Sequence, residues 1–206
     1  MKKDLPLYEI GIDLTDPETK ITFNSLVKQP AHEKMFETFA KVEHQYFFND
    51  SEQTITGVMI ACDVPIYRFN KDSKEEYYVK FPKQSIKDIV LDMAQRQTFN
   101  SVNIEHNSKE IVSDIFMTMI YVIDEANGFT APERFKDESD GTAIASYKCL
   151  NADVYEKAKA GDFKGFSIEG VFALYETGAT YNGFKADPDE FDELINELNK
   201  LISLFK

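Results

Sequence analysis

Tryptophan is absent from the 206 residues, cysteine occurs twice and histidine three times. The two cysteines, Cys62 and Cys149, build no disulfide framework and lack metal-type spacing, which fits a reducing, cytosolic setting. His32, His44 and His106 leave little scope for a metal centre. A zinc site needs several converging ligands, and neither HExxH nor CxxC occurs. No run of about 18 apolar residues exists, so no membrane-spanning helix is expected. Met1-Lys2-Lys3-Asp4-Leu5-Pro6 has no long apolar core behind its lysines and does not read as a secretory signal. Cations are scarce too: 23 Lys and Arg stand against 36 Asp and Glu, a formal charge of −13. With no Lys/Arg-rich run to neutralise phosphates, nucleic acid is not an expected partner. Neither GxxxxGK[ST] nor GxGxxG is present, so no nucleotide cofactor is called for. No cofactor and no metal are expected.

What is present is a globular composition. Hydrophobic residues make up 43% and charged residues 29%, enough at this length to bury a core without disulfide staples. Periodicity predicts an α+β, β-rich chain. Strands are expected at 7–12, 21–23, 54–61, 66–69, 77–81, 101–106, 111–124, 142–150 and 166–175. The first two flank the turn Asp16-Pro17-Glu18-Thr19 and read as a hairpin. A short helix is expected over 33–41 and a loop over 43–53. Pro82 opens a helix ending near Gln97, with Ile86, Ile89, Val90, Met93 and Ala94 on one face. The excursion 128–141 reads as exposed. Asn151 caps a helix that Gly161 stops. A linker from Gly178 leads to a helix start at Asp187-Pro188-Asp189-Glu190. Phe191, Leu194, Ile195, Leu198, Ile202 and Phe205 line one face of that helix. The stripe fits docking on the chain's own domain, or contact with a partner.

Two segments could carry chemistry. One is Asn103-Ile104-Glu105-His106-Asn107, with a histidine at a predicted strand end. The other is Lys164-Gly165-Phe166-Ser167-Ile168-Glu169-Gly170. There Phe166, Ile168, Phe172 and Leu174 alternate onto an apolar face. Ser167 and Glu169 share the opposite face, roughly 7 Å apart along the strand. Gly170 inside the strand signals a bulge or a close backbone approach. A serine becomes nucleophilic when a base takes its proton. A histidine suits that task near neutrality, and a carboxylate behind it fixes the tautomer. The plainer alternative is a filler serine and a packing histidine.

Three blocks resemble the tailed-phage prohead (capsid-maturation) serine proteases, in particular the XkdF-like group. They are Asn24-Ser25-Leu26-Val27-Lys28-Gln29-Pro30-Ala31 with Phe36 and Phe39; Val102-Asn103-Ile104-Glu105-His106-Asn107; and Asn151 to Gly161 leading into Gly165-Phe166-Ser167-Ile168-Glu169-Gly170. The resemblance implies an assemblin-like β-barrel surrounded by helices over 1–177, with a linker and amphipathic helix over 178–206. It implies Ser167 as nucleophile and His106 as general base. The assemblins place a second histidine after the serine. Here none follows His106, so Glu169 is the first candidate for a third member, with Asp114 and Glu176 behind it. The implied substrates are phage scaffold protein, major capsid protein and the chain itself, cut inside the immature head in the host cytoplasm. Self-association is a further possibility. The alternative is a protease-fold protein of the phage head without turnover.

Overall fold

The computed structural model describes residues 4–27, 46–70, 72–163 and 165–182. Among them twelve strands form three four-stranded sheets. The first contains β1 (Leu5–Gly11), β5 (Ile66–Phe69), β6 (Glu76–Lys80) and β12 (Ala173–Tyr181), in the order β12-β1-β6-β5. The second contains β3 (Phe47–Asn49), β4 (Thr54–Ile60), β9 (Ile115–Val122) and β10 (Ala143–Cys149), in the order β3-β4-β10-β9. The third contains β2 (Lys20–Val27), β7 (Val102–Ile104), β8 (Asn107–Ile111) and β11 (Gly165–Val171), in the order β11-β2-β7-β8. Two α-helices are described, α1 (Lys83–Arg96) and α2 (Ala152–Lys159).

The α+β, β-rich class is therefore the observed one, but a barrel surrounded by helices is not. The chain passes from β11 through Phe172 into β12, which joins the third sheet to the first. A bridge between Cys62 and Phe81 ties the second sheet to the first. β11 and β5 nevertheless remain sheet edges, so the hydrogen-bond ladder does not close. The two described helices are too few to ring it.

Local chemistry explains where strands start and stop. The expected hairpin of β1 with β2 does not form: β1 pairs with β12 and β6, and β2 with β11 and β7. The loop between them closes on itself instead. Asp13 N–H donates to Thr19 Oγ1 at 3.0 Å, and the Thr19 hydroxyl lies 2.9 Å from Asp13 O. With the loop's polar groups satisfied internally, the two strands diverge into different sheets. The expected loop 43–53 contains the short strand β3, laid antiparallel on Thr54–Thr56 of β4. The long strand expected over 111–124 is broken between β8 and β9, where Asp114 has φ 65. The stretch from Gly178, expected as linker, is still strand as far as Tyr181, which pairs with Leu5. The helices expected over 33–41 and 187–206 lie outside the described residues, as do His32 and His44.

The buried apolar residues form a main cluster and a smaller one of Val58, Ala61, Ile123, Phe135 and Ile144. Ile21, Val79, Val102 and Tyr147 from the sheets meet Ile86, Ile89 and Met93 of α1. The buried face of α1 is turned slightly from the expected one, because Ala94 is exposed and Asp92 is buried. Asp92 accepts the Ile21 N–H at 2.9 Å and the Arg96 Nε–H at 2.7 Å. A buried carboxylate with two donors tethers the helix to the start of β2. α1 ends at Gln97, left-handed at φ 59. α2 begins where Asn151 accepts the Val154 N–H at 3.2 Å, and ends before Gly161 at φ 85. The excursion after β9 is anchored at its base, where Asp124 binds both Lys83 and Lys87. Those lysines hold the Asp124 carboxyl far below the usual carboxylate range.

Candidate active site

The third sheet brings its polar residues to one face. Ser25, in the middle of β2, pairs with Ser167 on β11 and with Asn103 on β7. Directly paired residues project from the same side of a sheet. Glu169, two residues beyond Ser167, shares that side. Ser25 and Asn103 are buried to within 1% of full coverage, whereas the side chains of His106 and Glu169 are 43% and 34% exposed. A buried polar pair thus underlies a histidine and a carboxylate that a ligand can reach.

His106 does not end a strand. Glu105 and His106 are the two central residues of the β7–β8 connection, closed by the pairing of Ile104 with Asn107. Both are left-handed, at φ 53 and φ 57. Hairpin loops of two residues favour this geometry because its twist matches that of the strands, and they normally use Asn and Gly to reach it. For Glu and His it costs on the order of 1 kcal/mol per residue. The Glu105 N–H, donating to Leu26 O at 3.0 Å, ties the turn to the end of β2. Left-handed non-glycine residues are rare enough to mark a constrained segment.

The hydrogen bonds determine how His106 is protonated when neutral. A carboxylate only accepts, so the Asn103 group 3.1 Å from Glu169 Oε2 is its NH2. Asn103 Oδ1 therefore faces Ser25, and the Ser25 hydroxyl donates to it at 2.6 Å. That hydroxyl has one proton, already committed. His106 Nδ1, 3.0 Å from Ser25 Oγ, must then be the donor. Glu169 Oε2, 3.7 Å from the same nitrogen, reinforces a proton there. Nε2 is left as the unprotonated, basic nitrogen. This is the tautomer in which an imidazole with a carboxylate behind its Nδ1 acts as a general base.

His106 and Glu169 are thus brought together, and Ser167 is on the same sheet face, one strand away from Ser25. Among the described residues Ser167 makes no side-chain hydrogen bond, and the hydroxyl bonded to His106 is that of Ser25. The weaker carboxylate candidates lie elsewhere: Asp114 in the turn before β9, and Glu176 on β12 opposite Tyr8 in another sheet. Gly170 carries the bulge its position signalled, with a register shift between Glu169 and Gly170. The backbone that approaches it belongs to the chain itself: a Cβ there would lie 2.2 Å from Lys20 O. The apolar alternation holds for Phe166, Ile168 and Phe172, which pack on the core. Leu174, beyond the bulge, is 52% exposed.

Ser25 and Asn103 are the members that sequence reasoning passed over. Their signal was polar residues interrupting apolar strand positions: Asn24-Ser25 between Phe23 and Leu26-Val27, and Asn103 between Val102 and Ile104. The cysteines offer no rival nucleophile. Cys62 is buried, and burial together with neighbouring Asp63 pushes its thiol up to about 12. Burial also raises that of Cys149. A thiolate is the reactive form, so both are inert near neutral pH.

No protein-family model, curated protein or solved structure matches the chain.

Proposed function

We propose that this chain is a serine endopeptidase of the phage prohead type, with Ser167 as nucleophile and His106 as general base. One observation carries the reading: the chain Glu169–Asn103–Ser25–His106 occupies Nδ1 and leaves Nε2 basic, on the sheet face that holds Ser167. In the reaction Nε2 takes the Ser167 proton as Oγ attacks a peptide carbonyl. The imidazolium then gives that proton to the leaving amine, and water releases the acyl group by the same route. Glu169 stabilises the imidazolium across 3.7 Å, while Ser25 and Asn103 position the ring. The substrates are scaffold protein, major capsid protein and the chain itself, in the immature phage head.

A second reading, a protease-fold head protein without turnover, is favoured by one specific feature. The hydroxyl hydrogen-bonded to His106 is that of Ser25. A fluorophosphonate probe followed by peptide mapping separates the two. Modification of Ser167, lost in His106→Ala, is expected for the enzyme. Co-expression with scaffold and capsid protein provides the complementary assay. Processing by the wild type that stops in Ser167→Ala supports the enzyme, and intact substrates with both chains support the structural reading.

A further inference from the structure

On the other side of β11, where Phe166 and Ile168 point, a cavity of about 160 Å3 opens between β11, the end of β4 and β5. β11 and β5 are both sheet edges, so the cavity lies in the seam that the ladder leaves unclosed. Its walls are apolar, among them Met59, Ile66, Phe166 and Phe172, apart from Arg68; Ser167 borders it from the strand, its side chain directed to the other face.

Arg68 is the anomaly. Its hydrogen bond goes to a neighbour in sequence, from Nη1 to Tyr67 O at 3.0 Å. A guanidinium has five N–H donors. Among the described residues no carboxylate pairs with it, although the chain carries 36 acidic residues against 23 basic ones. Burial holds the guanidinium below its ordinary value. Arg68 is only half-buried, but a partly desolvated charge without a partner still keeps part of its desolvation cost. The planar guanidinium fork matches a carboxylate in two-pronged fashion. A cavity of this size accepts a benzene-sized group, which excludes a nucleotide. A bare inorganic anion would leave its remaining oxygens against apolar walls. A carboxylate on a short apolar stem satisfies both the cation and the walls.

We propose that this pocket is an acid-recognition subsite: a peptide laid along the open edge of β11 alternates its side chains between the Ser167 face and this one, Arg68 binds the carboxylate that enters the pocket, and Ile66, Phe166 and Phe172 take its apolar stem. Two sources supply that chemistry, a glutamate side chain within a peptide and the carboxylate at a peptide's end. The presence of peptide beside Ser167 rests on the endopeptidase reading, but the pocket's preference for acid over amide does not require turnover.

The test uses the full chain and four blocked tripeptide probes in two pairs. One pair is acetyl-Ala-Ala-Glu N-methylamide and its Gln isostere. The other is acetyl-Ala-Ala-Leu as free acid and as amide. Binding is read by NMR titration, following the Arg68 Nε–H. At least one acid is expected to bind tenfold or more tightly than its amide partner and to shift that resonance. The pair showing the gap identifies the source. Arg68→Met should erase the gap, and Arg68→Lys should retain part of it. Equal binding of acids and amides, no binding by any probe, or a gap that persists in Arg68→Met overturns the proposal. Should Arg68→Met fail to fold, an unmoved Arg68 resonance in the wild type overturns it equally. Fluorophosphonate labelling separates the two claims. An acid preference without labelling of Ser167 sinks the enzyme alone, and labelling without an acid preference sinks the subsite alone.

Discussion

Replacing Ser25 by alanine cuts the polar chain at its centre, and the consequences follow from two distances. The hydroxyl donates to Asn103 Oδ1 at 2.6 Å and lies 3.0 Å from His106 Nδ1. Asn103 is fully buried. Leaving its Oδ1 without a donor should destabilise the fold by about 1–3 kcal/mol. The bond from Nδ1–H to Oγ is neutral and half-exposed, so its loss should remove about 1 kcal/mol of bias towards the Nδ1–H tautomer. That is roughly a fivefold change in tautomer ratio. Nitrogen-15 shifts of the His106 ring, measured above its titration and assigned with His106→Gln, report the ratio directly. Urea unfolding reports the stability change. A wild-type ring protonated on Nε2, or a ratio unchanged in Ser25→Ala, refutes the assignment of donors along the chain. If the protein is an active endopeptidase, kcat should fall with the fraction of the Nδ1–H tautomer, by at most that factor of about five, with KM nearly constant, because substrate does not touch Ser25.

Asp92→Ala should cost about 3 kcal/mol in urea unfolding, because it removes a buried charged acceptor and orphans the Ile21 N–H. Gly170→Ala should destabilise by about 1–3 kcal/mol, since the new Cβ meets the Lys20 carbonyl rather than a movable side chain. Asn151→Ala should lose about 1 kcal/mol of cap energy, read as a lower thermal midpoint with β-structure retained. Asp124 and Asp140 both have carboxyls depressed by Lys83, with Lys87 also acting on Asp124. A depressed folded-state value means their stabilisation is complete above roughly pH 4, the unfolded value. It is lost as pH falls through the lower folded values. Thermal midpoints between pH 6 and pH 2 should therefore drop less steeply in Asp124→Asn than in the wild type; parallel curves would contradict the ion-pair account.

Much of the architecture was legible because it depends on local patterns. The apolar spacing of Ile86, Ile89 and Met93 marked α1, and Asn151 and Gly161 marked both ends of α2. Richness in Ile, Val and Thr marked β4, alternation marked β11, and Gly170 marked its bulge. Pairing was less legible. Adjacent strands joined by a turn usually pair, but Thr19 satisfies Asp13 within the loop and frees β1 and β2 to find distant partners. The His106 turn escaped notice because Glu-His carries none of the Asn-Gly signal of a left-handed two-residue loop. The inward turn of Asp92 escaped because helical periodicity ranks residues by polarity and does not anticipate a backbone N–H waiting at Ile21.

From composition and spacing alone came the class of the fold, the two described helices, and the residue types able to move a proton: one mid-chain histidine, a late serine and its neighbouring glutamate. Those properties are local, set by propensity and period within a dozen residues. Tertiary structure alone decided which hydroxyl the imidazole bonds, which ring nitrogen stays basic, and that Arg68 faces a cavity without a carboxylate. Each of those depends on residues far apart in sequence meeting across the sheets: 81 positions between Ser25 and His106, and 98 between Arg68 and Phe166. Register between such distant strands is settled by the core they jointly bury, not by either strand's own pattern.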